Sequence, residues 1–62
     1  MPIVTVEMWK GRTVEQKKAM IAGITDALVN SINCTSESVS IVIHEVDKEN
    51  WGKNGQMVSE LK

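Results

Sequence analysis

Two runs of alternating apolar residues, Ile3–Trp9 and Val39–Val46, flank a stretch whose apolar residues recur at helical spacing, which leaves the chain few folds. In the first run Pro2, Val4, Val6 and Met8 share one parity, and Ile3, Thr5, Glu7 and Trp9 the other. In the second, Val39, Ile41 and Ile43 share one face, and Ser40, Val42, His44 and Val46 the opposite one. Alternation of this kind, rich in β-branched residues, marks a strand. Between the runs Thr13 is placed as an N-cap, with Gln16 positioned to close a capping box. The helix predicted from there spans about Val14 to about Ile32, with Met20, Ile24, Ala27 and Leu28 as its apolar stripe and Ile21 and Ile32 at the margins. Gly23 inside it suggests close approach of a neighbouring backbone, because a helical glycine costs up to about 1 kcal/mol relative to alanine.

Strand, helix and strand read as an α/β chain built on one β-α-β unit, with a right-handed crossover and two parallel strands. Asn33–Ser38 is turn-like and Asp47–Asn50 a polar loop. Asn54-Gly55 is a strong turn dipeptide and predicts a small C-terminal hairpin. In the tail Gln56–Lys62, Met57, Val58 and Leu61 are expected to dock on another surface. Residues 1–62 are expected to form a single domain.

A chain of 62 residues is short of core. It buries only about 60% of its unfolded surface and usually needs disulfides, a metal or partner subunits. One cysteine, Cys34, excludes an internal disulfide, and a lone histidine far from it gives no zinc site. Two strands make no independently stable sheet. The face carrying Ile3, Thr5, Trp9, Val42 and Val46 beside Glu7 and His44 is also too apolar to be left in water. Both considerations predict an obligate homo-oligomer. The net charge of -1, with both signs interspersed, argues against nucleic acid and against a polybasic membrane anchor. The absence of a signal-like or membrane-spanning run, together with an unpaired cysteine, makes a cytoplasmic protein the expectation.

The chemistry points to the ends of the first strand. If Met1 is removed, the Pro2 nitrogen changes from a non-basic amide to a secondary amine whose lone pair the strand behind it can aim. Arg12, the only arginine, lies just before the helix N-terminus, where free amides and the macrodipole favour an anion. A guanidinium also matches a carboxylate bidentately. At about 3.3 Å per residue the strand holds Pro2 and Arg12 roughly 20 Å apart within one chain. Antiparallel pairing of two first strands across a twofold axis would bring Pro2 of one chain to Arg12 of the other. Trp9 and Trp51 are candidate dry walls, and desolvation with a nearby cation would lower the amine's pKa toward neutrality. His44 shares a face with Glu7, so a buried contact between them at an interface is favoured over acid–base work. Glu45 is expected to be a solvated or interface carboxylate. Cys34 and Ser40 have no neighbour that would make them nucleophiles.

Met1-Pro2-Ile3-Val4, Gly11-Arg12-Thr13 with Glu15-Gln16-Lys17, Val42-Ile43-His44-Glu45 and Trp51-Gly52 together resemble the 4-oxalocrotonate tautomerase family. The likeness covers nearly the whole chain, and Pro2-Ile3 with Gly11-Arg12-Thr13, at this spacing in a chain of this length, is quite specific. It implies a homohexamer arranged as a trimer of dimers, no cofactor, and a small carboxylate substrate. It implies Pro2 as the general base moving a proton in an unsaturated 2-hydroxy or 2-oxo acid, such as 2-hydroxymuconate. Arg12 from a neighbouring subunit would grip the carboxylate, and Trp51 would stand where the family often has phenylalanine. Ser40 departs from the pattern, occupying the position of a second arginine in the diacid tautomerases. A monoacid such as a phenylpyruvate-like enol is therefore equally open. Two alternatives remain at this stage: a hydratase or dehalogenase acting on 3-substituted acrylates, with protonated proline as the acid, and a non-catalytic oligomeric module that retains Met1.

Overall fold

The computed structural model describes residues 1–60. Strand β1 covers Ile3–Trp9, helix α1 Val14–Ile32 and strand β2 Ser40–Val46, and a two-residue hairpin follows from β3 (Gly52–Lys53) and β4 (Gln56–Met57). Single 3-10 turns sit at Ser36–Ser38, Lys48–Asn50 and Val58–Glu60. β1 and β2 pair in parallel, with Ile3 opposite Ser40, Glu7 opposite His44 and Trp9 opposite Val46. The α/β expectation therefore holds, with β2 beginning one residue later than its alternation predicts. Val39 instead closes the 3-10 turn, its N–H donating to the Ser36 carbonyl.

Helix α1 starts where its cap places it. The Thr13 Oγ1 accepts from the Gln16 N–H at 3.1 Å, and the Gln16 Oε1 accepts from the Thr13 N–H at 2.9 Å. The helix stops at Asn33, whose left-handed φ of 58° turns the chain back toward the sheet. Substituting Thr13→Ala removes the Oγ1 acceptor and leaves the Gln16 N–H without its partner. We expect a loss of about 1 kcal/mol of stability, read as a lowered denaturant midpoint. The hairpin turns on Asn54 and Gly55, at φ 54° and 76°, the positive pair a type I′ turn requires.

The apolar stripe of α1 is narrower than its periodicity suggests. Met20, Ile24, Thr25, Leu28 and Val29 are half-buried, whereas Ala27, Ile21 and Ile32 are exposed. Two strands present a sheet too narrow to cover more of a helix than one seam. No backbone approaches Gly23 within the protomer either. In the tail it is Val58 that docks, its N–H donating to the Trp51 carbonyl at 2.8 Å, while Met57 stays 44% exposed. Leu61 lies outside the described residues.

The protomer has almost no interior. Among the described residues Val58 is the one buried hydrophobic, at 5% exposure, and no side chain of α1 is buried. Its accessible surface is 4878 Å², whereas a folded monomer of this mass exposes about 4,000 Å². Its radius of gyration is 14.6 Å, against about 10.6 Å for a compact domain of this length. Ile3 at 68% and Val42 at 42% exposure lie on the sheet face away from the helix. This is the surface area and shape of a subunit rather than of a free-standing domain. Among the described residues no helix is long and apolar enough to cross a membrane.

Candidate active site

The residues singled out by sequence separate into two groups at opposite ends of β1. At one end Pro2 and Ser40 are neighbours, the Ser40 N–H donating to the Pro2 carbonyl at 3.0 Å. That bond extends the parallel ladder by one step and fixes the backbone behind the Pro2 nitrogen. Along Met1–Val4 and Thr35–Ile43 the only charged side chain is Glu37, so the surroundings of Pro2 within its own strands carry no cation.

At the other end stand Trp9, Trp51 and Arg12. The two indoles meet edge to face, with centroids 5.9 Å apart and planes at 85°. The Lys48 Nζ sits 5.0 Å from the Trp9 ring centroid, in cation–π range. The buried Trp9 indole N–H has no hydrogen-bond partner. Trp51 lines shallow hollows with Glu7, Val46, Asn50 and Gly52, on the side of the sheet away from the helix.

Arg12 belongs to a different cavity, an open groove of about 370 Å³ lined by Val6, Met8, Arg12, Gln16, Lys17 and Met20. Its walls come from β1 and α1 and from no residue of β2, so it opens along the free edge of β1 on the helix side. Neither tryptophan lines it, and within one protomer the apolar walls beside Arg12 are Val6, Met8 and Met20. Gly11, at φ 126°, makes the turn that carries Arg12 from the strand to the groove mouth. The Arg12 guanidinium makes no ion pair or side-chain hydrogen bond with any described residue. Two neighbouring lysines, by contrast, are committed: Lys10 lies 3.4 Å from Asp47, and the Lys17 Nζ donates to the Glu45 Oε1 at 2.7 Å.

Glu45, expected as a solvated or interface carboxylate, pairs with Lys17 within the protomer. Both side chains are about one-quarter exposed, and the carboxylate lies between sheet and helix. Its parity with Ile41 and Ile43 was the available signal, since that parity faces the helix. The Glu7–His44 contact is present at 3.4 Å, but both groups are more than half exposed in the protomer, so its burial would have to come from another chain.

This geometry belongs with a known group. A family model described as "Tautomerase enzyme" matches residues 2–61. The chain belongs to the tautomerase family. It is 46% identical over 61 residues to a 2-hydroxymuconate tautomerase of Comamonas testosteroni, spanning 98% of this chain and 97% of that one. A 2-hydroxymuconate tautomerase of Pseudomonas putida is 43% identical with the same coverage. Among solved structures, a 4-oxalocrotonate tautomerase isozyme of Methylibium petroleiphilum superposes with a TM-score of 0.91 at 36% identity, covering 94% of this chain and 91% of that one. The β-α-β protomer with its terminal hairpin is thus the tautomerase fold, and the chain is an enzyme of the isomerase class.

Proposed function

We propose that this tautomerase moves a proton within an enol or unsaturated 2-oxo acid, with the processed Pro2 nitrogen as general base and Arg12 of an adjoining copy holding the substrate carboxylate. The observation that carries the reading is an uncommitted guanidinium on an apolar groove, on the same side of the sheet as Pro2 but at the far end of β1. The outer edge of β1 is unpaired in the protomer. Two such edges joined antiparallel about an axis perpendicular to the sheet keep both helices on one side. That pairing lays Pro2 of each chain beside the Arg12 groove of the other.

The amine takes a proton from the substrate and returns it to a carbon of the same molecule, so the enzyme ends each cycle unchanged. The guanidinium draws electron density toward the carboxylate and steadies the enolate formed between the two transfers. Ser40, tied to Pro2 through the backbone, offers a neutral hydroxyl donor beside the reacting atoms. Trp51, with Trp9 packed on it, stands at the end of the sheet that receives the partner's Pro2, where an apolar wall helps keep the amine neutral. The open sheet faces supply the contacts for stacking such dimers into a homohexamer. A reducing cytoplasm suits the unpaired Cys34.

Mixing separately purified Pro2→Ala and Arg12→Ala proteins tests the shared site. Neither parent places an intact proline beside an intact arginine. After subunit exchange about one quarter of the pairings regain both groups, if they come from different chains. Recovery of about that fraction of wild-type turnover is the expected result. A mixture as inactive as its parents, with exchange verified by mass, overturns the proposed pairing.

A further inference from the structure

Among the described residues Lys48 alone holds its ammonium over the tryptophan cluster. Its Nζ lies 5.0 Å from the centroid of the Trp9 ring, which Trp51 meets edge to face. Unlike Lys10 and Lys17, it makes no ion pair with any described residue. We propose that Lys48 is a further substrate-binding residue, whose ammonium receives the end of the acid that lies away from Arg12. The inference rests on Arg12 being the carboxylate clamp and adds a second anchor to that same site.

Both cations stand where the two strands finish. Trp9 pairs with Val46, and the Lys10 N–H donates to the Val46 carbonyl at 3.1 Å. Arg12 follows shortly after β1, and Lys48 opens the turn after β2. They flank this end of the sheet from opposite faces, Arg12 with Val6 and Met8 on the helix side and Lys48 over Trp9 on the other. The proposed antiparallel pairing delivers the second copy's Pro2 along the edge of β1 to the same end. A substrate with its reacting carbon at that amine then has one end toward each cation.

The charge balance includes both copies. On its own chain Lys10 is set against Asp47, Lys17 against Glu45 and His44 against Glu7. Glu49 follows Lys48 in sequence but lines the hollow toward the hairpin and makes no ion pair with it. The second copy brings an amine that is neutral when it acts as a base, the neutral Ser40 and, in the turn before β2, the carboxylate of Glu37. Arg12 and Lys48 therefore remain the two unspent cations at this end of the sheet. A cation–π contact at an exposed site is weak enough for a substrate oxygen to displace it, and the hydrogen bond so gained is charge-assisted. The ring thus holds the ammonium in place without committing it.

Lys48→Met is the informative substitution, because methionine keeps an unbranched apolar chain over Trp9 and removes only the charge. The probes are adipate and hexanoate, which differ by one terminal carboxylate, and dissociation constants are read by NMR titration of the intact oligomer without any turnover. The adipate-to-hexanoate affinity ratio is expected to fall about 5-fold in Lys48→Met and to stay near its wild-type value in Lys48→Arg. Lys53→Met removes another exposed lysine, from the nearby hairpin, and should leave the ratio flat. If Lys48 only props the Trp9 ring, Lys48→Met moves both affinities together and leaves the ratio unchanged, which overturns the proposal. An equal fall in Lys53→Met also overturns it, since that is the mark of a diffuse field rather than a contact. Arg12→Ala keeps the two readings apart. If it abolishes binding of both acids while the ratio stays flat in Lys48→Met, the second anchor fails and the clamp survives. If Arg12→Ala leaves both affinities unchanged, the clamp itself is wrong and the second anchor falls with it.

Discussion

Protein that retains Met1 is expected to turn over an enol substrate, such as the enol of phenylpyruvate, about 10²–10⁴-fold more slowly than the same chain beginning at Pro2. The cause is confined to one atom. With Met1 attached, the Pro2 nitrogen is a tertiary amide whose lone pair is delocalised into the carbonyl, and it is no base at any pH near neutrality. Removal of Met1 gives a secondary amine, and an α-amino group ordinarily titrates at about 7.7–8.0. Met1 is 91% exposed and makes no hydrogen bond with any described residue, so its presence or absence should not alter the protomer. Intact mass assigns the state of each preparation, and circular dichroism should be the same for both. Treating the Met1 form with a methionine aminopeptidase should restore the rate in proportion to the mass shift. Equal turnover by both forms would remove proline from the mechanism.

Pro2→Ala is the milder companion. The Ser40 N–H bonds to the carbonyl of residue 2, which alanine also has, so fold and assembly should be kept. The rate should still fall strongly, because a primary amine on a freely rotating residue replaces a ring nitrogen aimed by the strand. The pH profile adds the sign. A base must be unprotonated, so kcat/KM should fall as pH drops through the titration of the terminal amine. A hydratase using protonated proline would lose activity in the opposite direction.

How much of this was legible in the sequence depends on what each feature needs in order to be seen. β1 and α1 run over the residues their periodicity marks, because the alternation and the capping box are local signals. The exposure of Ala27 was not legible, since stripe width is set by how much sheet lies beneath the helix. Pro2 and Arg12 stood out by chemistry, yet their meeting depends on a symmetry operation that no single chain encodes visibly. Trp9 and Trp51 stood out as candidate dry walls for the Pro2 amine, and strand parity places Trp9 on the face away from the helix and from the Arg12 groove. Glu45 shares the parity of Ile41 and Ile43, and that parity rather than its charge marks the contact it makes with Lys17. The neighbouring Ile41 and Ile43 already marked that side as covered.

Replacing Val42 by aspartate is expected to dissociate the assembly and, with it, to unfold the chain. Val42 lies opposite Thr5 at the middle of the sheet face turned away from the helix, and it is 42% exposed in the protomer. A carboxylate there is already hydrated in an isolated subunit, so the substitution costs the protomer itself little. In an oligomer that covers this face the same carboxylate is desolvated among Ile3, Thr5 and Val46 without a partner cation, at about 3–5 kcal/mol per site. Each copy contributes one such site, so the cost is multiplied through the assembly. The released subunit has nothing to fall back on: Val58 is its one buried hydrophobic among the described residues, and its surface exceeds that of a folded monomer of its mass. Dissociation and loss of helix should therefore coincide, and both should shift to lower denaturant as protein concentration is reduced. Sedimentation and circular dichroism on the same dilution series measure the two together. A Val42→Asp chain that sediments as a folded, helical monomer would show that the protomer is stable without its neighbours, and a wild-type-sized oligomer would show that this face is left open to water.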